Sequence, residues 1–158
     1  MMRSIQPLKL IAAIAGSFAA GGIGSLATAP NIPTWYADLD KPFFNPPNWL
    51  FGPVWSVLYL LMGIALYLVW TAETRRSKAA AYRWFGLQLL LNAAWSLVFF
   101  GLHLTWVGLA VILILDLAVV MTIRAFRRLS PRAAWLLWPY LAWILFASGL
   151  NLALAVLN

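Results

Sequence analysis

Three stripes of aromatic and amide side chains carry most of the chemistry this sequence offers. Gln88, Asn92, Trp95 and Phe99 are spaced four, three and four, which places them along one face of a helix. Trp143, Ala147 and Asn151 lie at i, i+4 and i+8, with Phe146 and Leu150 flanking the same face. Trp55 and Tyr59 are four apart, and Met62 follows a turn later. Each stripe has two readings, interhelical packing with hydrogen bonds or a surface that faces a ligand. In the second reading, a small Ala147 between two large polar-tipped residues leaves room for something flat.

The other reactive groups are sparse. Asp116 is the one acid inside an apolar run, Val111 to Met121. It marks a functional site, or it is held by an amide or hydroxyl of a neighbouring helix and is structural. His103 is the only histidine. In the short turn Gly101 to Trp106 it reads as an exposed turn residue rather than a haem ligand or proton relay. No second histidine and no cysteine exists to complete a metal site or ligate haem through sulfur. No nucleophile–base pair and no phosphate-binding loop supports ordinary catalysis. The sequence therefore predicts no catalytic residue, no metal and no obligatory cofactor by ordinary chemistry.

The elements that position these side chains follow from composition. With 64% hydrophobic and 9% charged residues over 158 positions, the apolar surface exceeds what one water-soluble core can bury. A helix needs about 20 apolar residues to cross a bilayer. Five runs qualify, roughly 8–28, 47–71, 82–101, 105–123 and 133–156. The expectation is an all-α integral membrane protein, a five-transmembrane-helix bundle forming one domain over 1–158. The first run, with Arg3 and Lys9 ahead of it and Ala27-Thr28-Ala29 behind, imitates a signal peptide. Pro30 after such a cut suits a protease poorly and the run is long enough to span, so it reads as a helix of the bundle.

The net charge of +7 is a matter of topology and does not point to nucleic acid. Arg3 and Lys9 precede the first run, Arg75, Arg76, Lys78 and Arg83 separate the second and third, and Arg124, Arg127, Arg128 and Arg132 separate the fourth and fifth. Lys41 alone lies on the other side, beside Asp38 and Asp40. The positive-inside rule then predicts a cytoplasmic N-terminus, with the C-terminus and the Trp35 to Pro47 segment outside. An all-helical bundle points to the cell (inner) membrane of a bacterium.

Between the first two runs lies a loop over 29–46. Pro42, Pro46 and Pro47 predict an ordered, extended connection and no helix until Pro47 is passed. Ala12, Gly16, Ala20 and Gly24 form a small-residue ridge, suited to packing within the bundle or to a dimer seam. The short turn at Gly101 to Trp106 makes the third and fourth helices antiparallel neighbours. Pro139, inside the fifth run, predicts a kink or a loosened turn, with a freed carbonyl.

These residues resemble the translocator protein/tryptophan-rich sensory protein (TspO/MBR) family over all five spans. The matches, in order, are Trp35-Tyr36-x-x-Leu39-x-Lys41-Pro42-x-x-x-Pro46-Pro47-x-Trp49 with Trp55, then Asn92-x-x-Trp95 with Phe99-Phe100-Gly101, then Trp135-x-x-x-Pro139-Tyr140-x-x-Trp143 and Ala147-x-x-x-Asn151. The resemblance implies a homodimeric five-helix bundle whose pocket opens toward the first loop and binds porphyrins such as protoporphyrin IX, or haem. By position, Tyr36 and Pro46 belong to a lid, and Trp55, Asn92, Trp95, Trp143, Phe146 and Ala147 line the pocket. A porphyrin is a broad π-surface with ionisable edges, so indoles suit its faces and amides its rim. Lys41 suits a propionate or a pair with Asp38 or Asp40.

Two departures stand out. Members often carry proline after the third-helix tryptophan, where this chain has Ser96-Leu97. The segment Leu150 to Asn158 lacks the tyrosine and basic residue of the forward cholesterol pattern, which ranks a sterol below a porphyrin. The resulting order of functions is a tetrapyrrole-binding sensor, then a transporter of porphyrins or lipids, then light- or oxidant-dependent porphyrin breakdown at Trp55 and Trp143.

Overall fold

A helix over Asn48–Trp70 begins one residue past Pro47, where the last of the loop prolines no longer excludes the α region. The computed structural model describes residues 5–158, and the chain runs α1 (Pro7–Asn31), α2 (Trp35–Asp38), α3 (Asn48–Trp70), α4 (Ala79–Ser96), a π-helical turn (Leu97–Gly101), α5 (Thr105–Arg127), α6 (Pro131–Leu136) and α7 (Trp138–Leu157). Among the described residues there is no strand. Taking α4 with its π turn and α6 with α7, five rods are long and apolar enough to cross a membrane. The protein is an all-helical, multi-pass membrane protein.

α1 packs between α3 and α4, α5 packs between α4 and α7, and α6 closes against α3. Small residues set the closest approaches. A Cβ on Gly63 would lie 2.5 Å from the Ile14 Cα, and one on Gly24 would lie 2.9 Å from the Ser96 hydroxyl. The ridge on α1 is thereby divided. Ala20 and Gly24 are buried in the bundle, whereas Ala12 and Gly16 face outward, and a Cβ on Gly16 would meet nothing within 4 Å.

Two local expectations are corrected, and a third takes one of its two forms. Trp35–Asp38 is a helical turn, with Ala37 and Asp38 N–H groups donating to the Thr34 carbonyl. The prolines that forbid helix lie after it, and the Lys41 amine supplies its C-terminal cap by donating to the Ala37 carbonyl at 2.7 Å. α1 passes Pro30 and ends at Asn31, because a proline in the last turn removes one donor without ending the helix. The fifth run loosens near Pro139, as a one-residue turn in place of a kinked continuous helix. The break is at Leu137, and Pro139 occupies the first turn of α7, where its missing N–H costs nothing.

The cationic connections meet at one end of the bundle. Lys9 lies over the Trp70 ring at 5.8 Å, and Arg76 donates to the Arg128 carbonyl at 3.0 Å. Arg3 lies outside the described residues. At the opposite end Asn158 clasps the loop, accepting from the Asp40 N–H at 2.9 Å and donating to its carbonyl at 3.0 Å.

Candidate ligand site

The three stripes converge in the lid-side half of the bundle. Trp55 of α3, Trp95 of α4, and Trp143 and Ala147 of α7 line one chamber with Tyr36 of α2 above them. The π turn adds to this wall. Its i to i−5 bond, from the Leu102 N–H to the Leu97 carbonyl at 2.9 Å, shifts the helical phase so that Phe100 as well as Phe99 turns inward. Their rings lie 6.1 and 5.8 Å from that of Trp95. Where the sequence has Ser96-Leu97, the helix leaves α geometry and continues as the π turn.

The lid is built on Tyr36. Its side chain is 1% exposed, and its hydroxyl donates to Asn45 Oδ1 at 2.6 Å while Asn45 donates to the Pro46 carbonyl. Burial pushes the Tyr36 phenol up to about 12. Lys41 Nζ lies over the Tyr36 ring at 5.3 Å and donates to the Ala37 and Leu39 carbonyls, so it braces the lid from within the loop. Pro46 is buried beneath the loop and Phe44 rests against Phe146 at 6.3 Å, but neither Pro46 nor Phe146 is in the chamber lining. His103 is exposed but engaged. It stacks on Trp35 at 4.3 Å and 10°, with its Nε2 2.9 Å from Asn31 Oδ1. It ties the α4–α5 turn to the lid helix and to the end of α1, and its φ of 58° marks the tightness of that turn.

The amides are already partnered, and of them only Asn151 lines the chamber. Asn92 accepts from the Tyr59 hydroxyl at 2.6 Å and donates to the Tyr140 hydroxyl at 3.1 Å; Tyr140 in turn donates to Gln88 Oε1 at 3.0 Å. Asn92 lines neither cavity described here. Asn151 accepts from the Trp95 indole at 3.1 Å and donates to the Thr105 carbonyl. Asp116 accepts from Ser148 at 2.8 Å, across the α5–α7 contact. Among the described residues, two buried side-chain polar atoms lack a partner, Asp116 Oδ1 and Trp143 Nε1, and of these only Trp143 belongs to the chamber lining.

The chamber itself holds a free volume of only about 20 Å³. A larger opening, about 410 Å³, lies beside it between α1 and α3. Phe51, Trp55, Trp95 and Phe100 line both, so four aromatic side chains are the partition between them. Phe51 and the crevice were not among the expected site residues. Phe51 was within reach, since it precedes Trp55 by four and Tyr59 by eight on one helical face. Phe100 falls off the Trp95 stripe in any α-helical projection, and only the π turn returns it.

Residues 13–157 match the TspO/MBR family. The chain belongs to that family. It is 50% identical over 154 residues to "Tryptophan-rich protein TspO" of Archaeoglobus fulgidus, covering 96% of this chain and 97% of that one. It is 42% identical over 120 residues to the human "Translocator protein", covering 74% and 70%. It is 39% identical over 124 residues to "Tryptophan-rich sensory protein" of Cereibacter sphaeroides, covering 78% and 77%. TspO/MBR membership and the five apolar rods agree on an integral membrane protein of the sensor and translocator type.

Proposed function

We propose that this TspO/MBR protein is a membrane receptor that binds a flat apolar ligand, a porphyrin such as protoporphyrin IX or haem, against the partition formed by Trp55 and Trp95. The observation that carries the reading is that partition. Indole faces from two helices stand between a chamber roofed by a stiff lid and an open crevice. A macrocycle exceeds the chamber's free volume, so its seat forms when the partition yields toward the crevice. There the indoles stack on the ring, and Trp143 Nε1 offers a buried, unused donor to its polar edge. The partnered amides hold the helices in register; Asn92 stands outside the chamber lining, and Asn151, within it, is already engaged by the Trp95 indole.

Sensing and regulation of tetrapyrrole levels rank above transport in this reading, since Asp116 is engaged by Ser148 and lines neither cavity. A homodimer is part of the same reading and is carried by family membership. The cationic end faces the cytoplasm in a prokaryotic cell membrane. Illumination of the protein with protoporphyrin IX bound separates binding from breakdown. Recovery of intact porphyrin is expected, whereas stoichiometric conversion that Trp55→Phe and Trp143→Phe abolish would make the protein a porphyrin-degrading enzyme.

A further inference from the structure

The crevice between α1 and α3 has features of its own. Its floor is the contact of Phe18 and Gly21 with Tyr59, where the Phe18 and Tyr59 rings are 5.9 Å apart and a Cβ on Gly21 would run into the Tyr59 ring. From there it follows α1 toward the lid as far as Ile32, a course of about 21 Å at the helical rise per residue. Both walls are membrane-spanning helices, so hydrocarbon meets its mouth. Three of the hydroxyls on its walls are satisfied within their own helices. Ser25 donates to the Gly22 carbonyl, Thr28 to that of Gly24, and Ser56 to that of Gly52. Gly22 and Gly52 leave the opening clear, since a Cβ on either would meet nothing within 4 Å.

We propose that this crevice is a binding site for one acyl chain of a membrane glycerolipid from the lid-side leaflet. A long, predominantly apolar slot that opens sideways onto hydrocarbon fits an alkyl chain, which needs contact along its length and no polar partner. The chain rests on the outer face of the partition whose inner face lines the chamber. Occupancy of the two sides is therefore antagonistic, because a macrocycle entering the chamber pushes Phe51 and Trp55 into the volume the chain fills. By linkage each occupant weakens the other by the same factor. The antagonism rests on the chamber ligand proposed above; the lipid site does not.

The test places the full-length protein in phosphatidylcholine nanodiscs doped with a phosphatidylcholine carrying a diazirine within one acyl chain, and maps photolabelled residues by mass spectrometry. Label concentrated on crevice residues of α1 and α3 is expected. It should fall at least fivefold in Gly22→Leu and in Gly52→Leu, and stay unchanged in Gly149→Leu, whose glycine also has open space around it but sits on the outer face of α7. Label spread evenly over all exposed helix faces, or unmoved by filling the crevice, overturns the proposal. Saturating protoporphyrin IX, equilibrated in the dark before the labelling flash, should lower the crevice label relative to label on the outer face of α7. If the glycine variants remove the label and the porphyrin leaves it unchanged, the lipid site stands and the antagonism is overturned.

Discussion

Tyr36 donates its hydroxyl to Asn45 Oδ1 at 2.6 Å, closing the lid on itself directly above the aromatic chamber. The donor and acceptor are nine residues apart, on either side of Pro42, so one bond converts a proline-stiffened loop into a roof. The bond requires the neutral phenol.

The first prediction concerns pH. Burial raises the Tyr36 phenol to about 12 in the folded lid, above its ordinary value near 10. A raised value means the unfolded loop gives up the proton first. The bond's contribution is therefore complete below about pH 10 and is lost as pH rises through about 12. Phenolate difference absorbance between wild type and Tyr36→Phe should show one tyrosine titrating near pH 12. A difference curve centred near 10 would mean that the lid leaves Tyr36 in water.

The second concerns the α1–α3 contact. Gly63→Ala places a methyl 2.5 Å from the Ile14 Cα, so two backbones must separate. Overpacking of this kind costs about 1–3 kcal/mol, and the thermal midpoint in detergent should drop. Gly16→Ala meets nothing within 4 Å and, at an exposed position in mid-helix, should hold the midpoint or raise it, a gain of up to about 1 kcal/mol. Equal midpoints for the two variants would contradict the close approach.

Much of this architecture was legible in the residues. Apolar runs of spanning length correspond to the five rods, and the spacing of Gln88, Asn92, Trp95 and Phe99 put four side chains on one face that the bundle indeed buries. What spacing alone could not supply was the partner of each polar group. Asn92 pairs with tyrosines 33 residues before it and 48 residues after it, and such a pairing depends on which helices are neighbours. The turn at Trp35–Asp38 was hidden because local proline content dominates a short segment, while Lys41 caps it from beyond the segment's end. The π turn was hidden because its extra residue breaks the very periodicity used to find helix faces. His103 looked solitary because its partners Trp35 and Asn31 belong to another loop and another helix.

The third prediction tests that polar network. Tyr140 is fully buried, and its hydroxyl both accepts from Asn92 and donates to Gln88. Tyr140→Phe keeps the ring and strands one amide donor and one amide acceptor. A loss of about 1–2 kcal/mol is expected, read as a lower thermal midpoint with the helical circular-dichroism signal intact. No change would mean that water satisfies those amides.

The fourth separates structure from function at Asp116. Asp116→Asn retains an oxygen for Ser148 and should leave protoporphyrin binding unchanged, because Asp116 lines neither cavity. Ser148→Ala removes that partner and should cost about 1 kcal/mol. Loss of porphyrin binding in Asp116→Asn would give the acid a functional role.

The most direct measurement of the central claim is a dark titration of the detergent-solubilised protein with protoporphyrin IX, following tryptophan quenching corrected for inner-filter absorption. Wild type should quench saturably in the micromolar range. Ala147→Leu, which fills the chamber from the buried face of α7, should abolish saturation, while Gly149→Leu on the outer face of the same helix should leave it intact. Equal, non-saturating quenching in all three proteins would mean partition into detergent, and would contradict a ligand seat at the Trp55–Trp95 partition.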